Sequence, residues 1–509
     1  MDIVFISPGN AKGIYQSLAD EYSAIEPPTW ALLLAQSCRS VGYSVSLIDV
    51  TAEKLEFESV LNRVRELKPK VICFVVYGQN VNAGTTNMSG ATALSKYFKN
   101  NKVTQPILYI GSHVQALPKE TLANEKSIDI IFTNEGVYSL RKILSIDKYD
   151  VPNLEKVKGI AFRKKNEIII TKPEKIVPQD KMDIDLPGYA WDLLPYKNKP
   201  FDLYRSPMWH AEYDQDKRSP YAAIQTSLGC RFGCDFCMIN IINRNDNDEI
   251  GVAGNYSFMR WWSPEFIIKE IDKLLSYGVE TLRIVDEMFL LNPKYYLPLC
   301  EMLKERNKND QLRLWAYSRV DTVKKTGILQ LVRKAGIKWL CLGIESSKKS
   351  IRLEISKGKF EDVNIENVIE AVHGADINVM ANYIVGLPGD TQETMLQTLE
   401  LSKKLCTVGW NTYAAMALPG TKLYKNAILN NIELPSSYEA YSFHSYDTLP
   451  LRNENLTAAE ILKFRDNAFT DYHNYIPFLK KVEDKFGKIA VNNIKEMSKI
   501  KLKRKILNN

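Results

Sequence analysis

Cys230, Cys234 and Cys237 stand at a CxxxCxxC spacing within residues 227–237. Three thiolates on one short loop suit a single metal centre, and the spacing supplies no fourth. Four-iron clusters that only shuttle electrons take four cysteines. A three-cysteine loop leaves one iron open to an outside molecule that can chelate it and react. Zinc is the competing reading, but structural zinc wants four nitrogen or sulfur ligands, usually in paired sets. No His or Cys follows Cys237 until Cys300, so the spacing favours an iron–sulfur cluster.

Residues 221–227 read as a strand leading into this loop, and Phe236 precedes the third cysteine. The segment resembles the radical S-adenosylmethionine (SAM) superfamily, in which a CxxxCxxC loop follows the first strand of a partial TIM-like barrel. The resemblance implies a [4Fe–4S] cluster on Cys230, Cys234 and Cys237, with SAM chelating the open iron. It also implies an aromatic side chain, here Phe236, against the adenine, and cleavage of SAM to a 5′-deoxyadenosyl radical.

The elements that must position such a loop can be read downstream. Ser263 and Pro264 open a helix as cap and first-turn residue. Strands follow at 281–285, 312–317, 339–343, 378–385 and 412–416, each before a helical stretch. With 221–227 they predict six β/α units, whose carboxyl ends would surround one mouth. Those ends carry Asp286 and Glu287, Ser318 and Arg319, and Glu345. SAM needs acceptors for its ammonium, a cation or hydroxyl for its carboxylate, and a carboxylate for its ribose diol. The resemblance assigns Asp286, Ser318, Arg319 and Glu345 to SAM, and Glu287 with Tyr383 is expected to be catalytic. Each charged residue could instead serve an ordinary ion pair, but carboxylates at barrel-strand carboxyl ends favour a site role for Asp286 and Glu345. Residues 386–390 and 418–424 match the family's GLPG and PGTxLY turns.

Before the cluster loop, short apolar runs at 3–7, 44–48, 71–76, 107–110 and 128–132 alternate with amphipathic stretches. That alternation predicts an open parallel sheet wound on both faces, which binds ligands beyond the carboxyl ends of its strands. Loops 7–13, 77–84, 111–115 and 134–136 lie there, and any one alone could be plain turn chemistry. Pro27-Pro28, then Gly111, His113 and Pro118, then Glu135-Gly136 resemble the cobalamin-binding domain of cobalamin-dependent radical SAM enzymes over about residues 1–175. The resemblance implies cobalamin contacts from Tyr77, Gln79, Asn80, Gly111, His113, Glu135 and Gly136. No DxHxxG loop is present, and the one Asp-x-His, Asp471-Tyr-His473, is near the C-terminus. Cobalt should therefore lack a lower histidine ligand, with residues 77–81 near its lower face. His113 is expected at cofactor or phosphate, a satisfied structural histidine being as probable a reading.

Composition permits this reading. The 509 residues suffice for two or three cores, and 45% hydrophobic with 25% charged residues is ordinary for a globular protein. Part of the net charge of +7 sits at 499–505, read as a solvated tail rather than a nucleic-acid patch. No signal peptide and no membrane span are expected, and eight cysteines, three in one loop, suit a reducing cytoplasm. Cys300, Cys341 and Cys406 read as core thiols.

The expected fold is α/β: a doubly wound cobalamin-binding domain over 1–150, a hairpin and linker over 151–215, a partial (β/α)6 radical SAM barrel over 216–430, and a mainly helical region over 431–509. An aromatic stretch at 438–446 either covers the barrel mouth or forms a packed cluster. The expected cofactors are the [4Fe–4S] cluster, SAM and cobalamin; the expected partners are a small-molecule substrate and an electron donor such as flavodoxin or ferredoxin, with no nucleic acid. The expected reaction is methylation of an unactivated carbon. A cobalamin-dependent cyclase or rearrangement enzyme is the alternative, and a non-catalytic sensor the alternative from another class.

Overall fold

The computed structural model describes residues 1–77, 81–196, 203–206, 220–323, 326–356, 360 and 362–508. Its first sheet contains β1 (Ile3–Ser7), β2 (Val45–Asp49), β3 (Val71–Val75), β4 (Ile107–Ile110), β5 (Ile130–Phe132), β6 (Ile160–Lys164) and β7 (Glu167–Ile170), in spatial order 2-1-3-4-5-6-7. Strands β1 to β5 are parallel. Alternation along them sorts two cores. Ile3, Phe5, Val71 and Cys73 pack with Leu32, Leu33 and Leu34 of the helix Thr29–Arg39. Val4, Ile6, Ile72 and Phe74 pack with Val60 and Val64 of the helix Phe57–Leu67 and with Met88 and Leu94 of the helix Gly84–Asn100. Both faces are covered, which is why these strands read as unbroken apolar runs.

The hairpin expected between domains extends this sheet instead. β6 pairs antiparallel with β5, and β7 with β6, because Ile160, Ala161 and Phe162 are apolar enough to be buried inside the sheet, leaving β7 as its edge.

The second half begins with β8 (Tyr221–Ile224), β9 (Ser227–Gly229) and β10 (Met259–Trp261), followed by β11 (Thr281–Ile284), β12 (Arg313–Arg319), β13 (Ile337–Glu345), β14 (Asn378–Val385) and β15 (Gly409–Ala414). Six of these form a parallel sheet in the order 8-11-12-13-14-15. β9 and β10 form a separate antiparallel ladder beside the cluster loop, which periodicity alone did not predict because both are three residues long.

The helices Ala458–His473 and Ile476–Lys499 follow the barrel. The aromatic stretch staples the two halves together: Asn10 Nδ2 donates to Glu439 Oε1 at 3.2 Å, Ser442 Oγ to the Ile14 carbonyl at 3.1 Å and Gln16 Nε2 to the His444 carbonyl at 2.7 Å. Phe443 meets the Tyr413 ring of β15 edge-on at 5.0 Å. The basic tail is not wholly solvated. Arg504 is fully buried, pairs with Asp466 at 2.9 Å and donates to the carbonyls of Phe443 and Ser445. Among the described residues no helix is long and apolar enough to cross a membrane.

Two buried ion pairs fix one half against the other. Glu26, just before the helix Thr29–Arg39, pairs with Arg283 on β11, whose guanidinium lies 4.7 Å from the Tyr317 ring centre. Glu135 pairs with Arg260 on β10 at 2.7 Å, both nearly inaccessible. Removing one partner of such a pair strands a buried charge and costs about 3–5 kcal/mol. Arg260→Met should therefore lower the thermal midpoint clearly, and Glu135→Gln/Arg260→Met should recover part of the loss, as read by differential scanning calorimetry.

Candidate functional site

The cluster loop is strapped at several points. The Cys230 N–H donates to Asn240 Oδ1 at 2.7 Å, and Asn240 Nδ2 donates to the Phe232 carbonyl at 2.9 Å. Asp235 N–H bonds the Ile355 carbonyl, and the Asp235 carbonyl accepts from Leu423 N–H, both at 3.0 Å. The first domain reaches in too: Asn82 Oδ1 accepts from Met238 N–H at 3.0 Å while Asn82 Nδ2 lies 3.9 Å from Cys237 Sγ. Burial pushes the Cys230 thiol up to about 12 and Cys234 to about 11, and raises Cys237 as well. The thiols are neutral until iron displaces their protons. Among the described residues no three Cys, His, Asp or Glu side chains converge closely enough to share one ion. Thiolates that each take a different iron of a four-iron cube stand farther apart than ligands of a single ion.

Beside the loop, a cleft opens between the two sheets. Trp30, Tyr77 and Val81 line it from the first domain; Gln225, Ile239 and Glu287 line it from the second. Trp30 meets the Tyr77 ring edge-on at 5.4 Å. Trp30 Nε1 and Gln225 Oε1 are buried with no hydrogen-bond partner among the described residues. Orphaned donors and acceptors at a cavity wall ask for a polar ligand.

The strand-end residues divide. Asp286 accepts from Thr226 N–H, Thr226 Oγ1 and Ser227 Oγ, each at 2.6 Å. Its carboxylate pins the entrance of the cluster loop to the end of β11, leaving little capacity for a SAM ammonium. Neighbouring Glu287 makes no hydrogen bond among the described residues, and burial pushes it up to about 7, with Arg283 acting the other way. Glu345 is likewise raised to about 7 by burial. It sits at φ +65° at the end of β13, a left-handed conformation that is strained for a side chain of this kind and is typical of functional positions. Arg319 is held by Asp321 at 2.8 and 2.5 Å and stacks 3.8 Å from the Phe232 ring centre. Ser318 shares its hydroxyl with Thr322 at 2.8 Å. Phe236 packs on Ile351, Ile384 and Ala415.

Tyr383 is not on the inner face. Asn382 faces inward, where its Nδ2 reaches Cys341 Sγ at 2.9 Å and its Oδ1 accepts from Asn411. The period of two along a strand then sends Tyr383 outward, against Trp410, which stacks on Tyr472 of the outer helix Ala458–His473.

In the first domain Tyr77 lines the cavity, and its hydroxyl accepts from Gln115 Nε2. Gln79 and Asn80 lie outside the described residues. Four other expected cobalamin residues are committed to the fold. Gly111 lets the chain pass Val76, whose carbonyl would stand 2.2 Å from a Cβ there. His113 bonds Thr85 Oγ1 at 3.3 Å and meets Tyr438 edge-on at 5.2 Å. Burial lowers it to about 4, so it is neutral near pH 7 and offers no charge to a phosphate. Glu135 is consumed by Arg260 and by the Val177 N–H. Gly136, at φ +81°, supplies the left-handed turn into the helix Val137–Leu144.

The chain matches the B12 binding domain family over residues 16–144 and the Radical SAM superfamily over residues 224–402, together more than half of its length. The chain belongs to the cobalamin-dependent radical SAM enzymes. A methyltransferase of Pyrococcus horikoshii described as uncharacterized is 25% identical, with 88% of each chain covered. The anaerobic magnesium-protoporphyrin IX monomethyl ester cyclase of Cereibacter sphaeroides is 24% identical over 94% of this chain and 71% of that one. Among solved structures, the radical SAM methyltransferase TsrM of Kitasatospora setae, with tryptophan and a SAM analogue bound, superposes with a TM-score of 0.65 at 13% identity, covering 98% of both chains. The cofactors of this cobalamin-dependent radical SAM enzyme are a [4Fe–4S] cluster, SAM and cobalamin.

Their fit to the residues is direct. Three thiols on one strapped loop suit the cluster, and the apolar wall of Trp30, Tyr77 and Val81 with two orphaned polar atoms suits a macrocycle fringed with amides. Sequence reasoning passed over Trp30, Gln225 and Asn82. Each adjoins or lies in a motif it did single out: Trp30 is two residues after Pro27-Pro28, Gln225 directly follows β8, and Asn82 lies inside loop 77–84.

Proposed function

We propose that this enzyme methylates an unactivated carbon of a small molecule at the cavity between its two sheets. The observation that carries the reading is the shared wall: Trp30, Tyr77 and Val81 face Gln225 and Glu287 across one space beside the cluster loop. When bound, SAM on the cluster supplies hydrogen-atom abstraction and cobalamin supplies the methyl group, a second SAM restoring it. The protein contributes placement and exclusion of water. Glu287, with no hydrogen-bond partner among the described residues, accepts the SAM ammonium; Phe236 packs against the adenine; Glu345 and Ser318 flank the ribose and carboxylate. Arg319, neutralised by Asp321, positions the loop through Phe232. Tyr77 and the apolar wall exclude water from the cobalamin face. An electron donor of the flavodoxin or ferredoxin class and a cytoplasmic setting complete the reading.

A second reading, cyclisation or rearrangement without methyl transfer, is favoured by the likeness to the magnesium-protoporphyrin ester cyclase. Product ratio separates them. Reconstituted enzyme turning over its substrate should release 5′-deoxyadenosine and S-adenosylhomocysteine together; 5′-deoxyadenosine without S-adenosylhomocysteine would establish the cyclase reading, and no SAM cleavage would leave a sensor.

The Glu287 assignment carries a pH signature. With the carboxyl raised to about 7, the charged acceptor forms as pH climbs through that value. SAM affinity of the wild type should therefore rise from pH 6 to pH 8. Glu287→Gln should give a flat profile and bind about tenfold or more weakly at pH 8, the worth of a charge-assisted hydrogen bond of about 1.5–3 kcal/mol. Equilibrium dialysis with labelled SAM on cluster-loaded protein measures both.

A further inference from the structure

We propose that Asn82, carried by the cobalamin domain, is a positioning residue that helps set the reduction potential of the cluster in the other domain. The inference rests on the cluster reading of Cys230, Cys234 and Cys237. Asn82 lies in the short turn Val81–Ala83 after β3, yet its side-chain hydrogen bonds among the described residues are all to the cluster loop. Its Oδ1 accepts from the Met238 N–H at 3.0 Å, which fixes the rotation of the carboxamide. That fixed rotation aims Nδ2–H at Cys237 Sγ, 3.9 Å away.

The turn itself is anchored. The Val81 carbonyl accepts from Ser112 Oγ at 2.6 Å, and the Val81 side chain forms part of the cavity wall. A continuous path therefore runs from the wall that cobalamin would face, through two adjacent residues, to a cluster sulfur. Reduction of a cluster adds negative charge to its sulfurs, so an N–H aimed at one of them stabilises the reduced form more than the oxidised form and raises the potential. The contact is long, and its effect is one donor's share of the potential. It is the share that the cobalamin domain controls.

Two variants separate this role from a merely structural one. Asn82→Asp keeps the oxygen that receives Met238 N–H and removes the donor to sulfur; Asn82→Leu removes both without adding charge. The experiment uses full-length protein reconstituted with iron and sulfide and loaded with hydroxocobalamin, titrated with dithionite and mediators while the reduced-cluster EPR signal is followed. Iron content and the cobalamin absorbance of each variant are measured alongside. Both variants should load iron and cobalamin like the wild type and shift the midpoint to lower potential, by an amount approaching a tenfold change in the one-electron equilibrium, about 59 mV.

A wild-type midpoint in both variants would overturn the proposal. A shift in Asn82→Leu alone would overturn it by assigning Asn82 to loop support, and a shift in Asn82→Asp alone would overturn it by tracing the effect to the added charge. Failure of the wild type itself to bind iron would instead overturn the cluster reading, and this inference with it.

Discussion

The site exists because two carboxylates of the cobalamin domain are buried against arginines of the barrel. Glu26 meets Arg283 and Glu135 meets Arg260, with every one of these side chains nearly inaccessible. Any one of them without its partner would be a stranded buried charge, at a cost of several kcal/mol. The two sheets therefore dock in a register that satisfies both pairs, and that register puts the carboxyl end of β3 beside the cluster loop. The cavity, the Asn82 contact and the wall of Trp30, Tyr77 and Val81 all follow from it. Swapping such pairs for apolar residues would often be neutral for stability alone; their value here is that they specify one docking arrangement.

Inside the barrel the same logic is local. Asp286 takes three hydrogen bonds from Thr226 and Ser227, so the first thiol of the loop is held relative to β11, where Glu287 projects next. A carboxylate that seems to offer a ligand site instead builds the site for its neighbour. The C-terminal segment closes the assembly from the other side. Ser442 and His444 bond to the first domain while Phe443 packs on Tyr413 of the barrel, and Arg504 ties the end of the chain to that same stretch.

What could be read from sequence and what could not has a physical pattern. The cysteine loop and the two sheet classes were legible because both are local: the first is a spacing of eight residues, the second a periodicity within each segment. The family of cofactors followed from them. The roles of Glu135 and Asp286 were not legible, because their partners lie 125 and 60 residues away and nothing local distinguishes a buried brace from a ligand. Tyr383 was misplaced for a different reason. Both faces of β14 are buried, so its sequence does not say which alternate residues face inward; the Asn382 contacts do. Trp30 was hidden in an apolar helix face, where an indole at the first turn looks like core.

The central claim is that cobalamin and the cluster address one cavity from opposite walls. Pulsed EPR on enzyme holding both cob(II)alamin and the reduced cluster tests it most directly, since two paramagnets that share a cavity must couple. The account predicts a split or strongly broadened cobalt signal that sharpens to the isolated form when the cluster is oxidised to its diamagnetic state. A cobalt spectrum unchanged by the oxidation state of the cluster, in protein loaded with both, would contradict it.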